Sequence, residues 1–292
     1  MKSVTVVGAD GFIGSAMVKG LCQNGYAPVR ITRSSTIKNY NTNIMFYVAG
    51  STTPYNAADG SAHIEFDLYN LTQTLNALKK IKKRPLFVFT SSAGTVYDPS
   101  GPQPYRESSL LKPTNLYGRA KLDQETVVRK SDWVDSLILR LSNVYGPYQD
   151  PKPGFGVIAH WAQKVCSHEP IEMMGNSYRD YLNIFDLIDI SLEIMNRPQS
   201  HFAGTTVNVG SGKIVSLYEL YEIFVETAGQ PIKMIKRSPR SFDTEAVSID
   251  ISLAKKLFDW QPKIPLDMGI KGVLDAKLKI NHSNHKNVYN QA

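Results

Sequence analysis

At 292 residues, with 42% hydrophobic and 20% charged positions, the chain has the composition of a globular protein with a sizeable core, not of a disordered or fibrous one. No apolar run reaches the roughly 18–20 residues needed to span a bilayer, so no membrane partner is expected. The net charge of +7 gathers at Lys79, Lys80, Lys82, Lys83 and Arg84 and in the carboxy-terminal stretch, without interleaved aromatics. That pattern argues against a nucleic-acid surface and for a solvated helix end, with a share left for attracting an anionic cofactor and substrate. The amino terminus reads as a strand entering a turn and not as a signal peptide. Cys22 and Cys166 offer neither a metal-ligand spacing nor a disulfide framework, so a reducing cytoplasm and no metal are expected.

Strand and helix signals alternate through the first half. A β-branched run at Val4–Val7 leads through glycines into an apolar-periodic helix at 13–24, which Gly25 ends. Strands are expected at 27–32, 44–49, 86–90 and 136–141, and helices at 67–81 and 117–130. Such alternation gives an α/β fold, a doubly wound parallel sheet with helices on both faces. Prolines and glycines crowd positions 146–156, and the later texture predicts a smaller mixed lobe over the carboxyl ends of the strands. The expected division is 1–150 as the sheet domain, with 181–212 returning to it, and 151–180 with 213–279 as the lobe. Apolar content falls from Ile280, so 280–292 is expected to fray.

Between the first strand and first helix stands Gly8-Ala9-Asp10-Gly11-Phe12-Ile13-Gly14. Glycines there let the backbone approach a pyrophosphate, and the helix amino terminus points free N–H groups at the anion. This predicts a Rossmann-type dinucleotide site. An acidic residue at the end of the second strand would select NAD; here the residues are Arg33 and Ser34, with no carboxylate. An arginine suits a 2′-phosphate, so NADP is the expected cofactor, with NAD the alternative.

Tyr117 and Lys121 stand four residues apart, on one face of a helix. A free tyrosine has a pKa of about 10, and a nearby ammonium favours the phenolate, so the pair is expected to exchange a proton with a hydroxyl or carbonyl. Ser91-Ser92 ends the preceding buried strand, where a hydroxyl can meet the same oxygen.

With these residues the chain resembles the extended short-chain dehydrogenases/reductases, the family of nucleotide-sugar 4-epimerases, dehydratases and 4-keto-sugar reductases. The resemblance runs from Val4 to Leu274. It includes the glycine loop, Val48-Ala49-Gly50, Ser91-Ser92-Ala93-Gly94-Thr95-Val96-Tyr97, Tyr117 with Lys121, and Arg140-Leu141-Ser142-Asn143-Val144-Tyr145-Gly146-Pro147. Arg179-Asp180-Tyr181, Asn208-Val209-Gly210-Ser211-Gly212, and Arg240 with Asp243 complete it. It implies Tyr117 as acid/base and Lys121 as the residue that holds the nicotinamide ribose and lowers the tyrosine pKa. Ser92 would orient the reacting oxygen; its spacing to Tyr117 favours it, with Ser91 the alternative. Cofactor contacts are implied for Gly8, Gly11, Phe12, Ile13, Gly14, Ala49 and Gly50, besides Arg33, Ser34, Tyr117 and Lys121. Asn143, Arg179 and Arg240 would grip the diphosphate of a nucleotide sugar, the alternative for the arginines being surface ion pairs with Asp180 or Asp243. A homodimer through two helices of the sheet domain, one bearing the tyrosine, is also implied.

Two departures shape the expected reaction. Only ten residues separate Arg33 from Ile44, too few for the family's adenine-side wall, which implies a loosely held cofactor. Where dehydratases carry an acidic pair, this chain has Ala93-Gly94, which speaks against dehydration. A 4-keto-sugar reductase is the first reading and a C4 epimerase the second. A catalytically idle cofactor-sensing module is a third reading, from another class.

Overall fold

The computed structural model describes residues 2–35, 41–82, 84–153, 156–240 and 244–289, with side chains as far as Lys279. Asp243, expected to accompany Arg240, lies outside the described residues.

Near-continuous apolar runs make the inner strands of the main sheet, β1 (Val4–Val7), β3 (Ile44–Tyr47), β4 (Leu86–Ser92) and β5 (Asp135–Leu141), while the short β2 (Val29–Ile31) is largely exposed. A later strand, Thr205–Val209, lies beside β5; with β6 (Asn143–Tyr145), β7 (Ile171–Met174) and β8 (Tyr178–Asn183) between them in the chain, it is β9. The six strands run parallel in the order β2-β1-β3-β4-β5-β9. From β1 the chain first turns outward to β2 and then crosses back to β3, so the strand order reverses between β1 and β3, where such sheets bind ligands.

Pleating divides each strand between two faces. Val4, Val6, Phe46, Val88, Leu137 and Leu139 pack on α1 (Phe12–Gln23) and α7 (Ile184–Asn196), through Met17, Leu21, Leu187, Ile190 and Ile194. Val7, Met45, Phe87, Phe89 and Ile138 pack on the opposite face against α3 (Ile64–Leu78) and α5 (Leu116–Lys130), through Leu71, Leu75, Leu78 and Val128. Burial on both faces explains why these strands read as continuous apolar runs.

A separate core joins α6 (Val157–Cys166), α8 (Leu217–Ala228) and α10 (Leu266–Tyr289) through Trp161, Leu220, Phe224, Ile270 and Val273. There β8 lies between β6 and β10 (Ile214–Ser216), while β7 pairs with β11 (Met234–Arg237). α9 (Ser252–Phe258) returns to the main sheet, where Phe258 packs on Phe202.

Several element ends differ from expectation. β4 continues through Ser91 and Ser92, because both pair with β5. β2 is shorter than 27–32 and forms the sheet edge among the described residues. α3 starts at Ile64, three residues early, and stops at Leu78. A short α2 (Pro54–Ala58) was not anticipated; Thr53 and Asn56 form a capping box around Pro54 at its first position. α10 runs into the segment expected to fray from Ile280, and no glycine or proline interrupts it between Val273 and Tyr289.

Candidate active site

The glycine loop leaves β1 with Gly8 at φ +89°. The N–H groups of Gly8 and Ala9 both donate to the Ile31 carbonyl, at 2.8 and 3.1 Å, fastening the loop to the end of β2. A Cβ on Gly14 would lie 2.0 Å from the Gly8 carbonyl oxygen, and one on Gly8 would lie 2.8 Å from Ala49 Cα. Gly11 is the N-cap of α1, and its Cβ would still clear Gly8 at 3.4 Å. The first-turn N–H groups, those of Phe12 and Ile13 among them, lack intrahelical partners and face outward with the positive helix end. The cradle therefore fits a dinucleotide pyrophosphate: closely packed backbone, free donors and no side chain at its tightest points. Ala49 and Gly50 follow β3 beside it. Arg33 and Ser34 are exposed in the turn after β2, where Ser34 Oγ lies 3.0 Å from Thr32 Oγ1.

Ser91 and Ser92 sit at the carboxyl end of β4 on opposite faces, as the pleat requires. Ser91 is buried beside Glu125. Ser92 lies beside the Tyr117 phenol and acts to lower its pKa. α5 delivers that phenol from its first turn; Asn115 caps the helix by accepting from the Gly118 N–H at 2.8 Å. Gly118 matters as well: a Cβ there would fall 2.2 Å from the carbonyl oxygen of Thr95 in α4 (Ala93–Val96), so glycine lets Tyr117 approach β4. Lys121 Nζ lies 5.9 Å from the Tyr117 ring centre and donates to the Thr90 carbonyl at 3.2 Å. Ser92, Tyr117 and Lys121 thus come together at the carboxyl end of β4.

The electrostatics differ from expectation in one respect. Burial pushes the Tyr117 phenol up to about 12; Ser92 beside it works against this and the Asp67 charge adds to it. The expected lowering is not found, because desolvation of the phenolate outweighs the groups that favour it. Burial also lowers Lys121, to about 8, opposed by the charges of Asp67 and Glu125. At neutral pH the pair is a protonated phenol beside an ammonium.

Three charged residues near this pair were given no role by the sequence reading. Asp67, in the first turn of α3, accepts from the backbone N–H and the hydroxyl of both Ser51 and Thr52. Glu125, one turn beyond Lys121, is 0% exposed at its side chain and binds Arg140 of β5 through two bonds, 3.0 and 2.8 Å. Arg140 also donates to the Tyr97 hydroxyl at 3.1 Å, which in turn donates to Asn208 Oδ1 at 2.6 Å. Burial works to raise Glu125, but the Arg140 hydrogen bonds and charge hold it below the usual carboxylate range, with Ser91 and Arg129 adding to the effect.

On the other side, Asn143 in β6 donates to the Asp180 carbonyl at 3.0 Å. Arg179, next along β8, donates to the carbonyl of Tyr178 at 2.9 Å. The Asp180 carboxylate accepts from the Ser211 and Gly212 N–H groups, both at 2.7 Å. Arg240 follows Pro239, which packs on Gly175 four residues before Arg179; the two arginines thus lie on neighbouring segments. Among the described residues no cluster of acidic, histidine or cysteine side chains could hold a metal ion, and no helix is long and apolar enough to cross a membrane.

Residues 4–210 match the sequence profile of the NAD dependent epimerase/dehydratase family. A Methanocaldococcus jannaschii protein assigned as a UDP-glucose 4-epimerase is 28% identical, over 93% of this chain and 97% of its own length. A dTDP-4-dehydro-6-deoxyglucose reductase of Escherichia coli is 32% identical, over 65% of this chain and 60% of its own. The fold is shared with UDP-glucose 4-epimerase of Thermus thermophilus solved with NAD, at 23% identity and a TM-score of 0.81, covering 94% of this chain and 98% of that one. It is shared too with RMD from Pseudomonas aeruginosa solved with NADPH, at 21% identity and a TM-score of 0.83, covering 96% and 100%.

Proposed function

Since the chain belongs to the NAD-dependent epimerase/dehydratase family and is an enzyme of its nucleotide-sugar epimerase and reductase kind, we propose that it reduces the 4-keto group of a nucleotide-diphosphate sugar. The observation that carries this reading is the meeting of Ser92 and the Tyr117 phenol at the carboxyl end of β4, with Lys121 one turn further along α5. A carbonyl oxygen meeting both hydroxyls gains two donors where negative charge develops. The nicotinamide cofactor, when bound, supplies the hydride. Tyr117, pushed up to about 12, stays protonated at neutral pH and gives its proton to the oxygen. The Lys121 ammonium then stabilises the phenolate left behind.

Gly8, Gly11, Phe12, Ile13 and Gly14 would hold the pyrophosphate, with Ala49, Gly50 and Lys121 on the nicotinamide half. Arg33 and Ser34 are exposed where an adenine ribose 2′-phosphate would lie, which supports NADP over NAD. Asn143, Arg179 and Arg240 would grip the sugar diphosphate, two arginines suiting a pyrophosphate by charge and geometry. In this reading 151–180 and 213–279 form the substrate lobe. A cytoplasmic location belongs with it, in keeping with the free thiols of Cys22 and Cys166.

The M. jannaschii relative, matched nearly end to end, favours a second reading, C4 epimerisation. Reduction is preferred because its proton step needs an acid, and a buried phenol is one; oxidation of a hydroxyl would need the phenolate. The short link from β2 to β3 also suits a cofactor that leaves after each turnover. Counting NADPH consumed against sugar reduced separates the two.

The assembly proposed is a homodimer through α3 and α5, whose Phe66, Tyr69 and Leu116 are each at least half exposed. Light scattering at micromolar concentration should give twice the 32.6 kDa chain mass; a monomer mass would contradict this.

A further inference from the structure

Asp67 is 7% exposed, and its carboxylate accepts from four donors. Ser51 donates through its N–H and hydroxyl at 2.9 Å, and Thr52 through its N–H at 2.8 Å and hydroxyl at 2.7 Å. All four come from the short connection that leaves β3, the segment that also carries Ala49 and Gly50. Asn56 reinforces it by donating to the Ser51 carbonyl at 2.9 Å. Upstream, Ala49 packs so closely on Gly8 that a Cβ there could not fit. Downstream, α3 packs along α5, which carries Tyr117 and Lys121. Asp67 therefore joins the glycine loop to the helix of the proton donor.

We propose that Asp67 is a positioning residue that clamps the 48–53 connection onto α3, holding the cofactor cradle in register with Tyr117 and Lys121. The proposal rests on the functional reading above, in that it takes the glycine loop as the cofactor site. It accords with the short link from β2 to β3: with only ten residues between Arg33 and Ile44, the connection after β3 takes a larger share in defining the cofactor's place.

The clamp also has an electrostatic arm. Asp67 acts as an anion on both Tyr117 and Lys121. Burial opposes its charge, but the Thr52 and Ser51 hydrogen bonds hold it below the usual carboxylate range. The groups facing Lys121 are Tyr117 and Glu125 on its own helix, the Phe89 ring and Thr90 carbonyl of β4, and Asp67 from α3. α2, which also packs on α5, carries one titratable side chain, Tyr55. Glu125 is matched by Arg140 and Arg129, whereas the donors that meet Asp67, from Ser51 and Thr52, are neutral, so Asp67 is the anion with the freer influence.

NADPH binding to the intact chain, followed by nucleotide fluorescence, tests the clamp without turnover. Asp67→Asn turns a two-oxygen acceptor into one oxygen and an NH2 group facing other donors. It is expected to weaken NADPH binding about tenfold and to move the alkaline limb of the kcat/KM profile to lower pH by about one unit. The sign follows from charge: without the anion, the Lys121 ammonium gives up its proton more readily. Thr52→Val keeps the carboxylate but removes one donor, and should weaken binding while leaving the limb in place. Wild-type affinity with an unmoved limb in Asp67→Asn would overturn the proposal. So would wild-type affinity in Thr52→Val, which decides the matter if Asp67→Asn fails to fold. Should the wild-type protein bind NADPH yet reduce no nucleotide keto sugar, the functional reading fails while the binding comparison still judges the clamp.

Discussion

Tyr117→Phe is expected to lower kcat by about 10²–10⁴-fold, the usual worth of a positioned general acid, with cofactor affinity unchanged. The substitution removes only the phenolic O–H that Ser92 meets. The ring, its packing beside Lys121 and the Gly118 approach to Thr95 are kept, so the cradle should not move. In free energy the expected loss is about 3–5 kcal/mol of transition-state stabilisation. A variant turning over near the original rate would mean that the proton comes from elsewhere, with Ser92 the first group to suspect.

Arg140→Met should cost about 3–5 kcal/mol of stability, because it strands a buried carboxylate. Arg140 is 1% exposed, meets Glu125 through two hydrogen bonds, and reaches Tyr97, so one side chain ties β5 to α5 and to the residues after α4. Arg129 still contacts Glu125 at 2.7 Å but is exposed and bonds only one oxygen. Urea denaturation measures the effect. The double change Glu125→Leu with Arg140→Met should recover much of the loss, since a buried ion pair and an apolar pair of similar volume are often comparable. The pH dependence has a definite sign. A carboxylate held low in the folded protein contributes fully above its unfolded pKa and loses that contribution as pH falls through the folded value. Wild type should therefore lose this part of its advantage over Arg140→Met on acidification. A cost below about 1 kcal/mol would place the pair with ordinary surface bridges.

Much of the sheet was legible because its strands are covered on both faces. Val4–Val7, Ile44–Tyr47 and Leu86 onward are apolar runs with no competing helical period, and the glycine loop announces the turn from β1 into α1. Tyr117 and Lys121 were legible because a four-residue spacing has one meaning on a helix. The pleat then separates Ser92 from Ser91, a distinction that strand geometry makes and composition does not.

Other features depend on contacts distant in sequence. Asp67 meets Ser51 and Thr52 from 16 and 15 residues away, and in the sequence it is one acid among ordinary first-turn residues. Arg140 stood within a recognised segment, yet only the packed structure gives its side chain to Glu125. The direction of the Tyr117 shift was missed for a related reason. Spacing reveals the nearby ammonium, but not the desolvation that outweighs it.

The most direct test of the account is to incubate the purified protein with NADPH and nucleotide-linked 4-keto-6-deoxy sugars and count cofactor oxidised against sugar reduced. One NADPH is expected to be consumed for each 4-hydroxyl formed, with NADPH preferred over NADH. Interconversion of C4 epimers by tightly retained NAD, with no net consumption of cofactor, would contradict it.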